Sequence, residues 1–165
     1  IYVTVELNNN WEKIMNSQRK IINWVFLIFW MCFIFYMSNQ PANISDSQSF
    51  KAMAVLESIG IDINGIFGEL ANFVVRKCAH FLEYMILAFL IMNVVKMYFV
   101  FKISSVLSII FVFLYACTDE FHQLFIPGRE GAFRDVMIDT CGGVTFILLY
   151  ILFKISRRKY LPNKK

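Results

Sequence analysis

Charge is scarce in this chain of 165 residues: only 17% are Asp, Glu, Lys or Arg, too few to clothe an ordinary soluble surface. Proline (three residues) and glycine (seven) are scarce too, and no tract is compositionally biased, which excludes collagen-like, disordered and linker-joined architectures. No internal repeat is present, so a solenoid is excluded as well. The four cysteines, Cys32, Cys78, Cys117 and Cys141, include no C-x-x-C pair, so zinc-ribbon and thioredoxin-like chemistry lack support. They are expected to be small apolar fillers, with a Cys78–Cys117 pairing left open. Neither H-E-x-x-H nor G-x-S-x-G occurs, which removes two ready-made catalytic devices.

What fills the chain instead is apolar: 58% hydrophobic residues, 18 of them Phe, and a mean hydropathy of +0.58. A hydrocarbon core of ~30 Å takes about 20 helical residues, fewer where flanking groups snorkel. Four stretches approach this length: residues 21–37, 79–101, 103–117 (continuing towards Phe125) and 136–153. The expected fold is therefore all-α, an integral membrane four-helix bundle. Arg19 and Lys20 before the first span resemble a signal peptide, but the run is long and lacks an A-x-A site, so it reads as a retained anchor.

Four spans put both termini on one side, and that side carries eleven basic against two acidic residues, whereas the other carries five against ten. By the positive-inside rule the termini are expected to be cytoplasmic. Residues 1–20 then form a cytoplasmic segment, 21–153 the membrane domain and 154–165 a basic cytoplasmic tail that anchors to anionic headgroups rather than to nucleic acid. "NNNWEKIM" reads as a translated ribosome-binding leader, so the natural start is expected at Met15. The outer segment 38–78 is expected to form one or two short interfacial helices, over "SDSQSFKAMAVLESIGI" with Phe50, Met53, Ala54 and Ile59 on one face, and over "IFGELANFVV" with Phe67, Leu70, Ala71 and Val74. Their expected role is a lid over the bundle.

The remaining ionisable groups concentrate at one depth. Arg76, His80 and then Glu83 or Tyr84 share one face at the start of the second span. Asp119 and Glu120, with His122 and Gln123 one turn on, close the third, while Asp135 and Asp139 open the fourth above the small step Gly142–Gly143. Ser38 and Gln40 lie at the exit of the first, and the Pro-Gly turn in "IPGREG" holds Arg129 at the rim, where its planar fork suits phosphate or carboxylate. A lone carboxylate in hydrocarbon costs about 3 kcal/mol or more, so these groups should face inward and pair across helices. Three uses stay open: an ion network that only locks the bundle, a general acid or base among crowded carboxylates, or a metal site. A transport path finds little support, because the inner halves of the spans offer few polar groups.

"MSNQ", "RKCAHFLEY", "DEFHQLFIPGREG" and "RDVMIDTCGG", in this order, resemble the VanZ-like family of bacterial membrane proteins, over roughly residues 20–155. The resemblance implies a multi-pass protein of the cell envelope associated with low-level resistance to the glycopeptide teicoplanin. It marks Ser38, Gln40, His80, Glu83, Tyr84, Asp119, Glu120, Gln123, Arg129, Asp135 and Asp139 as motif positions; His122 falls between them. His80, Glu83, Asp119, Glu120, Asp135 and Asp139 are the candidate catalytic residues, and Ser38, Gln40, Arg76, Tyr84, Gln123 and Arg129 the candidate substrate-binding ones. The expected partner is a membrane lipid, a lipid-linked wall precursor or the antibiotic, with any metal and the oligomeric state open. Abundant Ile, Phe, Asn and Lys fit an AT-rich, Gram-positive host.

Overall fold

The computed structural model describes residues 2–160, with side chains for residues 15–157; the residues before Met15, where a translated leader was expected, and the basic residues from Arg158 onward lie outside the described side chains. The described chain is helical: α1 (Tyr2–Ser38), α2 (Ala42–Ser58), α3 (Ile63–Phe67), a 3-10 turn (Gly68–Leu70), α4 (Ala71–Val95), α5 (Phe101–Gln123) and α6 (Phe133–Tyr160). Four stretches, Met15–Ser38, Ile63–Val95, Phe101–Gln123 and Phe133–Arg157, are long and apolar enough to cross a membrane. The protein is thus an all-α, multi-pass membrane bundle.

Packing is centred on α4, which touches α1, α2, α5 and α6, most extensively α6. Its apolar second half supplies Leu87, Ala88, Ile91, Val94 and Val95 to a core completed by Leu27, Ile34, Val112, Ala116 and Val136. The α4–α6 approach is close because α6 offers no side chain there: a Cβ at Gly142 would run into the Phe81 carbonyl oxygen of α4, and one at Gly143 would strike Val112 of α5. Small residues play this part in bilayers, where close packing and hydrogen bonds replace the hydrophobic drive. The large apolar residues of the outer faces, such as Phe29, Phe89, Phe111 and Leu148, remain exposed, as lipid-facing groups must.

α1 packs Leu27 and Ile34 into this core and is fixed further by side chains that reach to backbone carbonyls. Trp30 Nε1 donates to Glu83 O (3.0 Å), Tyr115 Oη to Met31 O (2.7 Å) and Asn23 Nδ2 to Asn93 O (3.4 Å).

Several expectations need correction. The second span is shifted: α4 starts at Ala71 and stops at Val95, with Lys96 and Met97 in the turn that follows. Arg76 and Lys77 can lie inside this helix because each meets an acid, Asp46 and Asp135. Only the first outer helix exists as such; of "IFGELANFVV", the first half becomes α3 and the 3-10 turn and the second half the first turn of α4. On α2 the inward stripe is Ser45, Ser49 and Met53, whereas Phe50, Ala54 and Ile59 point outward. Helical spacing was right, but a helix lying on a membrane protein can turn apolar residues towards lipid, so the apolar face is not the buried one. The cysteines are free, and Cys32, Cys78 and Cys141 are exposed on outer faces rather than filling the core.

Candidate functional site

The antiparallel course of α4, α5 and α6 brings the start of α4, the end of α5 and the start of α6 to one end of the bundle. The turn between α5 and α6 completes it. The Arg129 amide donates to Ile126 O (3.1 Å) and Gly128 takes φ of +74°, the signature of a type II turn with Pro127 at its first central position. A Cβ on Gly128 would also come within 3.0 Å of the Ala42 Cβ, so glycine is required twice over. Ala42 N donates to Pro127 O (3.2 Å) and Arg129 Nε to Gln40 O (3.1 Å), which fastens this turn to the α1–α2 junction.

The side chains beneath this end fall into two sets. The outer set is cationic: Arg76, Lys77, Arg129 and Arg134 line a cavity of about 140 Å³ with Gln123, Glu130 and Asp135. Three of the cations are committed to acids, Lys77 to Asp135 across α4 and α6, Arg76 to Asp46 of α2 (3.4 Å) and Arg134 to Asp135 (3.5 Å). Asn72 also donates to Asp46 (2.9 Å). Arg134 stays exposed at the lip. Burial, and next the nearby charge of Arg76, hold the Arg129 pKa below its ordinary value.

The inner set is acidic. Gln123 Nε2 donates to Asp119 (3.3 Å) and to Glu120 (3.4 Å), and the Ala132 amide donates to Glu120 Oε2 (2.9 Å). His80 Nδ1 stands 3.9 Å from Asp139 and 4.0 Å from Glu83, too far for hydrogen bonds. The Ser38 and Tyr84 hydroxyls approach Asp119. Yet among the described residues Ser38 Oγ, Tyr84 Oη, His80 Nδ1 and both carboxylate oxygens of Asp139 are buried with no hydrogen-bond partner. Native structures rarely leave such atoms unpaired. A second cavity, of about 120 Å³, runs under α2 and is walled by Ser45, Ser49, Arg76, His80, Glu83 and Arg129. It joins the inner set to the cationic rim.

Of the residues singled out from sequence, His80, Glu83, Tyr84, Asp119, Glu120, Gln123, Asp139 and Ser38 thus lie together, with Arg76, Arg129 and Asp135 above them. Two do not join. The Gln40 side chain turns back to Tyr36 O (3.3 Å), leaving only its backbone carbonyl in the site. His122 stacks on Phe35 (ring centroids 4.7 Å apart) and meets Asn39 (3.3 Å), away from the cluster. Two rim cations were missed: Arg134, which precedes Asp135, and Lys77, which shares the His80 and Tyr84 face at i, i+3 and i+7 and was readable from that spacing.

Helix count, apolar length and the charged chamber at one end define a multi-pass membrane protein with a solvent-reachable polar head. A family model described as VanZ/LLP1 matches residues 23–154, and the chain belongs to that family, one linked to resistance. No curated protein and no solved structure matches the chain.

Proposed function

We propose that this VanZ-like protein sits in the plasma membrane with both termini cytoplasmic. Its charged end then faces outward, where it engages the anionic head of a lipid-linked wall precursor and so lowers the action of teicoplanin. The charge asymmetry of the loops supports the orientation. The carrying observation is the cluster of four cations around one cavity at the polar end of the bundle. Guanidinium forks bind phosphate in bidentate fashion, and a polyprenyl diphosphate brings that group with its own membrane anchor. Size favours the precursor over the antibiotic: about 140 Å³ suits a phosphate, whereas pockets for drug-sized ligands run to about 300–1,000 Å³.

Arg129→Gln and Arg76→Gln test this. Each removes a charge-assisted contact, so binding of a polyprenyl diphosphate, read by native mass spectrometry, should weaken about tenfold or more while the protein still accumulates. Teicoplanin protection should fall with it. Unchanged protection and unchanged lipid binding in both variants would sink the proposal.

A second reading is an intramembrane hydrolase or transferase acting on the same lipid, with His80, Glu83, Asp119 or Glu120 as acid or base. It draws on the unpartnered His80 at the inner wall of the second cavity. Incubating the purified protein with the lipid separates the two: an intact lipid mass under all conditions leaves binding alone.

A further inference from the structure

We propose that His80, Asp119 and Asp139 hold a divalent metal ion. One from each of α4, α5 and α6, they offer three ligand atoms that lie within 4.8 Å of one another. The inference stands apart from the headgroup reading, because it uses none of the four rim cations.

What marks these groups is their lack of partners more than their clustering. Asp139 is 1% exposed, and among the described residues neither of its oxygens has a hydrogen-bond donor. His80 Nδ1 is likewise buried and unpaired, and so are the Tyr84 and Ser38 hydroxyls that approach Asp119. The local charges leave the same deficit. Asp135 is matched by Lys77 and Asp46 by Arg76, while Glu120 takes the Ala132 amide and Gln123. Glu83, Asp139 and Asp119, the last held by the neutral Gln123 amide alone (3.3 Å), remain without a cation, and the uncommitted guanidinium of Arg129 directs its Nε to the Gln40 carbonyl. Buried carboxylates without cations are rare unless they are paired or coordinate a metal.

The donor set indicates which metal. An imidazole nitrogen with two carboxylate oxygens suits Zn²⁺, Mn²⁺ or Fe²⁺ better than Ca²⁺ or Mg²⁺, which favour oxygen alone. Glu83, 4.0 Å from His80 Nδ1, stands ready as a further oxygen donor. Bonds of ~2.0–2.2 Å to a tetrahedral ion place ligand atoms about 3.3 Å apart, so the ion would draw these side chains together and tie three helices at their polar ends. The cavity of about 120 Å³ that His80 and Glu83 help to line provides the route in.

The test uses the full chain purified in detergent. Elemental analysis should find about one Zn²⁺, Mn²⁺ or Fe²⁺ per chain, and chelation should lower the melting temperature, with the metal alone restoring it. His80→Gln and Asp139→Asn should lose both the ion and the metal-dependent shift. A wild-type protein that carries no metal and whose melting ignores both chelator and added Zn²⁺ or Mn²⁺ overturns the site. So do variants that retain the wild-type metal content, since the ion then lies elsewhere. Should the variants not accumulate, Co²⁺ titration of the wild type decides: the visible spectrum of a nitrogen- and oxygen-ligated ion supports the site, and that of the hydrated ion overturns it.

Discussion

The two ends of the bundle treat buried polar atoms in opposite ways. At the end where α5 begins, Ser104, Ser105 and Ser108 are buried, and each hydroxyl donates to a carbonyl of its own helix or the turn before it, Ser108 to Ser104 O at 2.8 Å. Nothing is left to do there. At the other end the Ser38 and Tyr84 hydroxyls, the Asp139 carboxylate and His80 Nδ1 are buried too, yet these polar atoms find no partner among the described residues. Serine bonded back to its own helix is a common way to bury a hydroxyl in a membrane. Unpaired acids and imidazole are an uncommon arrangement, retained where a missing group or a reaction uses them. The contrast separates the half that holds the fold from the half that, in our proposal, meets a ligand.

The largest effect should come at the seam between the halves. Gly142→Val forces a side chain against the α4 backbone at Phe81 and Met85, which cannot swing aside, so a loss of about 3 kcal/mol or failure to accumulate is expected in a detergent melt. A Gly142→Val protein with wild-type melting would mean that the helices are not closely apposed. Next, Lys77→Ala leaves the buried Asp135 with only the exposed Arg134 (3.5 Å) as a cation and should cost about 2 kcal/mol; the double change Lys77→Leu with Asp135→Leu should regain most of it. Arg76→Ala breaks a half-exposed pair with Asp46 and should cost about 1 kcal/mol or less in stability, although lipid binding falls. Smallest of all, Ser108→Ala should change melting by less than about 1 kcal/mol and leave protection intact. If Ser108→Ala abolished protection while the protein accumulated, the division into two halves would be wrong.

Much of this was legible in the sequence because bilayers impose simple rules. Apolar length announced the spans, and the cost of lone charges in hydrocarbon required the groups on α4, α5 and α6 to face one another. Gly142–Gly143 marked a close approach that the Phe81 carbonyl and Val112 confirm. What escaped was decided by partners distant in sequence. Arg76 and Lys77 look like the polar boundary of a span until Asp46 and Asp135 let the helix extend past them. The buried stripe of α2, Ser45, Ser49 and Met53, faces α4, and no periodicity reveals that lipid takes the opposite face. His122 occupies a helical position beside Gln123, but a rotation of about 100° per residue turns it towards Phe35 and α1.

Three of the bonds that align α1 end on main-chain oxygens, and this shapes how the protein can vary. Trp30 reads the carbonyl of position 83 and Asn23 that of position 93, while Tyr115 reads position 31 on α1 itself. A carbonyl is present whatever the residue, so the acceptor positions are free to mutate without shifting the register of the first helix. Glu83 in particular can change for reasons of chemistry alone, since the anchor it gives Trp30 belongs to its peptide group and not to its side chain.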